Sequence, residues 1–219
     1  MKKILIIGSH GFNGKYGGWD QLVNNLAELN QRFMVYIINP KDNPFYGEPP
    51  VFTRVINSHL SGTGLKGLIL DWFYTLKMAR KVDCFLLLGA KSIPSAILAK
   101  ILFKNKIVVN VGGVEWERPQ YNKFLKIYLK LCFDLSLKFA DEVILDNKHY
   151  LTFCGVTKKT NIKIIPYGGT IDTSLDGKNF LHKYPFIGSD YYLSISRAIV
   201  DNNIEEICQA FSKSNLPLV

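Results

Sequence analysis

Three short runs constrain this chain more than anything else in it. Lys3–Ile7, Cys84–Leu88 and Lys106–Val111 are nearly unbroken apolar stretches. A strand that alternates apolar and polar residues can leave one face in water. A strand that is apolar at almost every position must be covered on both faces. That requirement points to a parallel sheet with helices packed on each side, and the intervening segments have helical spacing. Gly17–Asn30 carries Trp19, Leu22, Val23, Leu26, Ala27 and Leu29. Leu65–Lys81 carries Leu68, Ile69, Trp72, Phe73, Leu76 and Ala79 on one face. Ile93–Phe103 reads as a helix with Pro94 near its N-terminus, a residue suited to a first helical turn. Tyr121–Phe139 reads as a long amphipathic helix. Phe33–Ile38, Phe52–Ile56, Glu142–Leu145 and Asn161–Ile165 complete the strands, the last closed by Pro166-Tyr167-Gly168-Gly169. The pattern predicts an α/β fold: a Rossmann-like parallel sheet with helices on both faces.

The alternation breaks at residues 171–190, which hold Asp172, Asp176, Gly177, Pro185, Gly188 and Asp190 with little periodicity. This stretch reads as a linker. A fresh strand, Tyr191–Ser196, and a helix, Asn203–Ser214, follow it, and Leu216–Val219 looks like the opening of another strand. The expected organisation is a domain over residues 1–170, a linker over 171–190, and the incomplete beginning of a second Rossmann-like unit over 191–219.

Composition narrows the function classes. The longest stretches without Asp, Glu, Lys or Arg, Ile4–Gly14 and Val55–Leu65, are 11 residues each. A spanning helix needs about 20 mostly apolar residues. The apolar part of the start stops at Gly8, short of a secretory core segment. Cys84, Cys132, Cys154 and Cys208 show no Cys-x-x-Cys spacing, so a zinc site is not expected and a reducing, cytoplasmic setting fits. The net charge of +9 is uneven: residues 1–110 carry +8 and residues 111–219 carry +1. An anionic partner on the first half is the natural inference. Nucleic acid fits poorly, because the cations are spread over many helices without a recognisable binding module.

Two segments lie where a parallel sheet binds ligands, beyond the C-terminal ends of its strands. Gly8-Ser9-His10-Gly11-Phe12-Asn13-Gly14-Lys15-Tyr16-Gly17-Gly18 joins the first strand to the first helix. Glycines let the backbone approach a phosphate, and the helix start presents N–H groups to it. The segment matches neither the dinucleotide fingerprint nor the P-loop, since Tyr16 follows Lys15. The second segment is Asn110-Val111-Gly112-Gly113-Val114-Glu115-Trp116-Glu117-Arg118. Glu115 and Arg118 suit hydroxyls or phosphate, and Trp116 suits a sugar face. A third candidate is Arg197 in Ser194-Ile195-Ser196-Arg197, since an Arg at a strand end can clamp a diphosphate.

Lys2-Lys3-Ile4-Leu5-Ile6-Ile7-Gly8 leading to Lys15-Tyr16-Gly17-Gly18-Trp19, together with the Asn110–Arg118 segment, resembles GT-B-fold glycosyltransferases of family 4. The bacterial rhamnosyltransferase subgroup of polysaccharide synthesis is the nearest likeness. Lys138–Glu142, Asp146–Lys148, Ile165–Gly168, and Ser196-Arg197 followed by Asp201–Ile204 extend it along most of the chain. The resemblance implies two Rossmann-like domains, the first binding the acceptor and the second the nucleotide-sugar. Gly17 and Gly18 would lie near the donor diphosphate, with Arg197 clamping it. The reaction implied is metal-independent sugar transfer from a nucleoside diphosphate with retained configuration, so that catalysis rests on stabilising the leaving diphosphate. The resulting substrate-binding candidates are His10, Tyr16, Gly17, Gly18, Asn110, Gly113, Trp116, Arg118, Tyr167 and Arg197. Glu115 is the candidate catalytic carboxylate on the acceptor side. No metal ligand or cofactor is expected beyond the donor substrate.

Two departures stand out. The subgroup usually has Asp where this chain has Gly112, and commonly Arg where it has His10. Family members also continue well past the point corresponding to Val219. A truncated or split enzyme, or a non-catalytic acceptor-binding or assembly subunit acting with a partner chain, are the expectations that follow. The implied partners are a nucleotide-sugar, a lipid-diphosphate-linked saccharide and, from the basic amphipathic helices, the anionic inner face of a cell membrane.

Overall fold

The computed structural model describes residues 1–153, 161–168, 191–196, 198, 202–214 and 216–219. The chain divides into two compact units, residues 1–117 with 123–166, and residues 118–122 with 167–219.

The first unit is built on seven parallel strands: β1 (Lys3–Ile7), β2 (Met34–Asn39), β3 (Thr53–Asn57), β4 (Cys84–Leu88), β5 (Lys106–Val111), β6 (Glu142–Leu145) and β7 (Ile162–Ile164). Their order is β3-β2-β1-β4-β5-β6-β7. The predicted α/β class is therefore the observed one. β1 sits between β2 and β4, pairing Leu5 with Tyr36 on one side and with Phe85 on the other. Leu5, Phe85, Leu87, Ile107 and Val109 are fully buried, as continuous apolar strands require. The chain runs outward from β1 to β3 and then crosses back to β4. The β1–β4 boundary is the point where strand order reverses.

Helix α1 (Gly18–Leu29) covers one face, where Val23 and Ala27 meet Ile6, Val35, Ile37 and Leu88. Helices α2 (Gly64–Met78), α3 (Ile93–Phe103) and α4 (Lys123–Phe139) cover the other, over Leu5, Ile7, Phe85, Leu87, Ile107 and Val109. Local chemistry sets their ends. Asn30 closes α1, its Oδ1 accepting from the Phe33 N–H (3.1 Å) and its Nδ2 donating to Phe33 O (2.7 Å). Lys104 ends α3 in the left-handed region (φ 61). Buried Asn105 donates to Ala79 O and Val82 O (2.9 and 2.6 Å) and satisfies carbonyls just past α2. No helix among the described residues is long and apolar enough to cross a membrane.

Three expectations change. The residues of α2 that face the sheet are Gly67, Leu70, Asp71, Tyr74, Thr75 and Met78. The apolar stripe Ile69, Trp72, Phe73 and Leu76 lies on the other side and is partly exposed, from 38% at Trp72, which also hydrogen-bonds Tyr128, to 52% at Ile69. Spacing identified an apolar face without showing which way it turns, and the sheet accepts Asp71 and Thr75 because each is hydrogen-bonded. Second, α4 starts at Lys123 instead of Tyr121, and a short 3-10 turn, Glu115–Glu117, precedes it. Third, in the second unit Tyr191–Ser196 forms no strand. Tyr192 makes one isolated parallel bridge to Leu218, where a last strand was expected to open. Helix α6 (Ile204–Ser214) is where periodicity placed it, while α5 (His149–Phe153) in the first unit was not foreseen. The expected linker, 171–190, lies outside the described residues.

Candidate functional site

The glycine-rich segment leaves β1 at the reversal point, and its glycines fall into two groups. Gly8 (φ +99) lies so close to β4 that a Cβ would overlap Leu88 O. A Cβ on Gly11 (φ +88) would lie 2.5 Å from Asn39 Oδ1, and one on Gly14 2.6 Å from Asp20 Cγ. These three are glycines because the fold leaves no room. Around Gly17 and Gly18 nothing lies within 4 Å of where a Cβ would sit. They begin α1 with open space, and no side chain caps that helix start.

Two buried polar residues hold the loop in shape. Asp20, 2% exposed, accepts the His10 N–H through Oδ1 (2.9 Å) and the Tyr16 N–H through Oδ2 (2.8 Å). Asn39 accepts the Phe12 N–H (2.8 Å) and donates to Phe12 O (2.9 Å). The Asn13 N–H goes to Asn24 Oδ1 and the Gly14 N–H to Gly11 O. The middle of the loop thus spends its donors internally. The anion-binding capacity belongs to its end, where Gly17-Gly18 meets the positive pole of α1. His10 stacks obliquely on Tyr16 (4.5 Å between ring centroids), and its Nδ1 is 3.8 Å from Asp20 Oδ1.

The second segment enters at the ends of β4 and β5. A shallow cleft there is lined by Gly89, Val111, Gly112, Gly113, Glu115 and Trp116. Trp19, from the first turn of α1, reaches into the same place. A Cβ on Gly112 would lie 2.5 Å from its Cζ2, and one on Gly89 2.9 Å from its Cη2 and 3.8 Å from Glu115 Oε2. The indole and the Glu115 carboxylate therefore flank Gly89. Trp116 packs on Phe133 (4.8 Å between ring centroids) with Lys130 Nζ 5.2 Å from its ring centre, so α4 fixes its orientation. Asn110 is buried at the end of β5, its carbonyl accepting the Gly89 N–H (2.8 Å). Gly113 (φ +128) lies near the Tyr150 hydroxyl.

Beside the residues that follow β1 and β4 lies Asp71, 2% exposed, with Lys91 Nζ at 3.1 Å and a hydrogen bond from the Ser92 hydroxyl (3.2 Å). Burial pushes its carboxyl above the usual range, opposed by Lys91, Ser92 and a hydrogen bond from the Gly8 backbone. The Tyr128 hydroxyl donates to Lys91 O (2.6 Å) and is held in its neutral form, chiefly by burial.

Of the residues singled out from the sequence, His10, Tyr16, Gly17, Gly18, Asn110, Gly113, Glu115 and Trp116 all lie at the ligand edge of the first unit's sheet. Arg118 and half-exposed Tyr167 belong to the second unit. Arg197 lies outside the described residues. Sequence reasoning missed Trp19, Asp20, Asn39 and the Asp71–Lys91 pair. Asp20 carried a signal, an acidic residue in the first turn of a helix behind a glycine-rich loop. Trp19 was visible as a helix position and as the end of the Lys15–Trp19 motif, without a role in the site, and nothing marked the other two.

No family model and no curated protein matches the chain. Solved structures do. Sucrose-phosphate synthase from Thermosynechococcus elongatus superposes with a TM-score of 0.73 at 16% identity, covering 100% of this chain and 61% of that one. Anabaena Alr3699/HepE, solved with UDP and glucose, gives 0.61 at 14% identity, covering 100% and 68%. The same protein solved with UDP-glucose gives 0.59 at 13% identity, covering 100% and 69%. At these identities the likeness carries the fold. The chain spans about three-fifths of the length of the sucrose-phosphate synthase.

Proposed function

We propose that the protein is a GT-B glycosyltransferase that moves a sugar from a nucleoside diphosphate to a lipid-linked saccharide in surface polysaccharide synthesis, with retained configuration. Rhamnose is the first donor sugar to test. The observation that carries this reading is the pair of open glycines, Gly17 and Gly18, at the uncapped start of α1 beside the Gly89–Glu115 cleft. The Anabaena protein, with the same fold, is solved with UDP-glucose. A helix start without side chains accepts a diphosphate closely.

In this reading the bond from the anomeric carbon to the diphosphate breaks, and its electron pair stays on the departing phosphate oxygen. The positive end of α1 stabilises that charge. The acceptor hydroxyl forms the new bond at the same carbon, and its proton passes to the departing oxygen. Glu115 positions the acceptor by accepting a hydrogen bond from a neighbouring hydroxyl of the same saccharide. Asp20 and Asn39 act one step back, keeping the loop rigid so that Gly17-Gly18 stays in place.

The test is transfer by the natural full-length product from a panel of nucleoside diphosphate sugars to a lipid-diphosphate-linked acceptor. Turnover that falls about 100-fold or more in Glu115→Ala supports the reading. Folded protein that neither binds nor turns over any donor contradicts it.

A second reading is a non-catalytic acceptor-binding or assembly subunit that works with a partner chain. Gly112 favours it, because Trp19 fills the space a carboxylate would need at that position. Saccharide binding without turnover, alone or with the partner, would decide for it.

A further inference from the structure

We infer that the outer surface of the α2–α3–α4 layer is a docking face for an anionic lipid bilayer, a role independent of the proposed transfer chemistry. The three helices are neighbours on one face of the sheet, with α3 between α2 and α4. Their sheet-facing sides are rich in small and polar residues, including Gly67, Asp71, Thr75, Ala96, Ala99 and Ser136. Leu70, Tyr74, Met78, Ile93, Leu129, Phe133 and Leu137 fill the rest of that side, and a second set of large apolar residues turns outward. On α2 these are Leu65, 73% exposed, with Ile69, Trp72 and Phe73. On α3 they are Ile101, 73% exposed, and Leu102. On α4 they are Phe124, 84% exposed, with Ile127 and Leu131. Single exposed apolar residues are ordinary, but an outward apolar stripe on each of three adjacent helices is a surface built to be covered.

Charge selects the occupant. Lys66 and Lys77 lie on α2 and Lys123, Lys126 and Lys138 on α4, with Arg80 and Lys104 just past helix ends, while Lys100 on α3 is held by Asp141 at 2.8 Å, just past α4. The carboxylates on these helices are Asp71, which is buried, and Asp134, which Lys130 pairs at 2.6 Å. Lys77 Nζ stands 5.2 Å from the centre of the Phe73 ring, and Arg80 stands 5.3 Å from that of Phe103. Cations thus border the apolar stripes, the arrangement of a helix lying in a headgroup layer with its lysines toward anionic phosphates. A protein partner fits less well, since lysine is depleted in protein–protein interfaces.

The experiment uses sonicated vesicles of phosphatidylcholine alone and of phosphatidylcholine with 30% phosphatidylglycerol, without saccharide or nucleotide, so that failure of the transfer reaction does not affect it. Flotation should carry the protein with the anionic vesicles at least 10-fold better than with the neutral ones, and 0.5 M salt should weaken the binding. Brominated acyl chains should quench the Trp72 emission, and Trp72→Phe should lose that quenching while Trp19 and Trp116 remain. The exposed double variant Ile69→Ser/Phe73→Ser, checked by circular dichroism for an unchanged fold, should bind at least 10-fold more weakly. Lys123→Glu/Lys126→Glu supplies an independent variant on another helix. Equal flotation with both vesicle types, quenching that survives Trp72→Phe, or a stable dimer that the double variant dissociates would each overturn the assignment.

Discussion

The indole of Trp19 lies against Gly112, so close that a methyl group on Gly112 would stand 2.5 Å from Cζ2 and 3.2 Å from Nε1. The first turn of α1 and the end of β5 are locked together by a large ring set over a residue without a side chain. Gly112 does not need unusual backbone angles, since its φ is not in the left-handed region. The constraint is space alone.

Adding a side chain at 112 should therefore cost stability in a way that depends on Trp19. Gly112→Ala is expected to destabilise by about 1–3 kcal/mol, the usual effect of overpacking. The same change in a Trp19→Ala background should cost far less, giving a coupling of about 1 kcal/mol or more in a double-mutant cycle. Urea unfolding of the four proteins measures it. Additive effects would show that the ring moves aside freely.

Asp20 is expected to be the keystone of the glycine-rich loop. Asp20→Ala strands the N–H groups of His10 and Tyr16 and should cost about 3 kcal/mol, because hydrogen bonds to a charged acceptor are the strong ones. Hydrogen exchange at residues 10–16 should accelerate more than exchange in β5. Uniform acceleration over the whole unit would contradict a local role.

Asp71 gives a pH dependence whose sign is fixed by its surroundings. Burial raises its folded-state carboxyl above the ordinary 3.8, so the folded protein holds that proton more tightly than the unfolded chain does. Its contribution to stability then rises as pH falls through the raised value toward 3.8, and is flat outside that window. Relative to Asp71→Asn, the wild type should gain urea resistance on going from pH 7 to pH 4. A loss over the same range would mean that Lys91, at 3.1 Å, outweighs burial.

Burial also pushes the Cys84 and Cys132 thiols up to about 11, so both are protonated at pH 8. Cys208 is exposed. Iodoacetamide at pH 8 followed by mass mapping should label Cys208 at least 10-fold faster than Cys132. Equal rates in folded protein would show that the β4 and α4 thiols are accessible.

The sheet was legible because its central strands are apolar at nearly every position. The bounds of β1, β4, β5 and β6, and of α3 behind Pro94, are those read from the residues. The inside of α2 was hidden, because its buried side includes Gly67, Asp71 and Thr75 while its apolar stripe faces out. Periodicity reports that a helix has two faces, and the partner decides which one is covered. The site was legible as two loops at strand ends. Their joining through Trp19 was not, since the contact links residues far apart in the chain and Gly112 carries no side chain to announce it. Tyr191–Ser196 has strand composition but forms one bridge, to Leu218, in the described residues. Composition alone does not supply the pairing partner that a strand needs.

The most direct test of the account is the pair Gly18→Val and Gly8→Val. Gly18 begins α1 in open space, whereas a side chain on Gly8 would collide with Leu88 O. If Gly17-Gly18 is left bare for a donor diphosphate, Gly18→Val should keep the wild-type unfolding free energy within about 0.5 kcal/mol, the range of ordinary surface substitutions. It should also lower nucleoside diphosphate sugar affinity and transfer at least 10-fold, while Gly8→Val should fail through loss of stability. A Gly18→Val protein that folds normally and binds and transfers at the wild-type rate would contradict the assignment of this helix start as the diphosphate site.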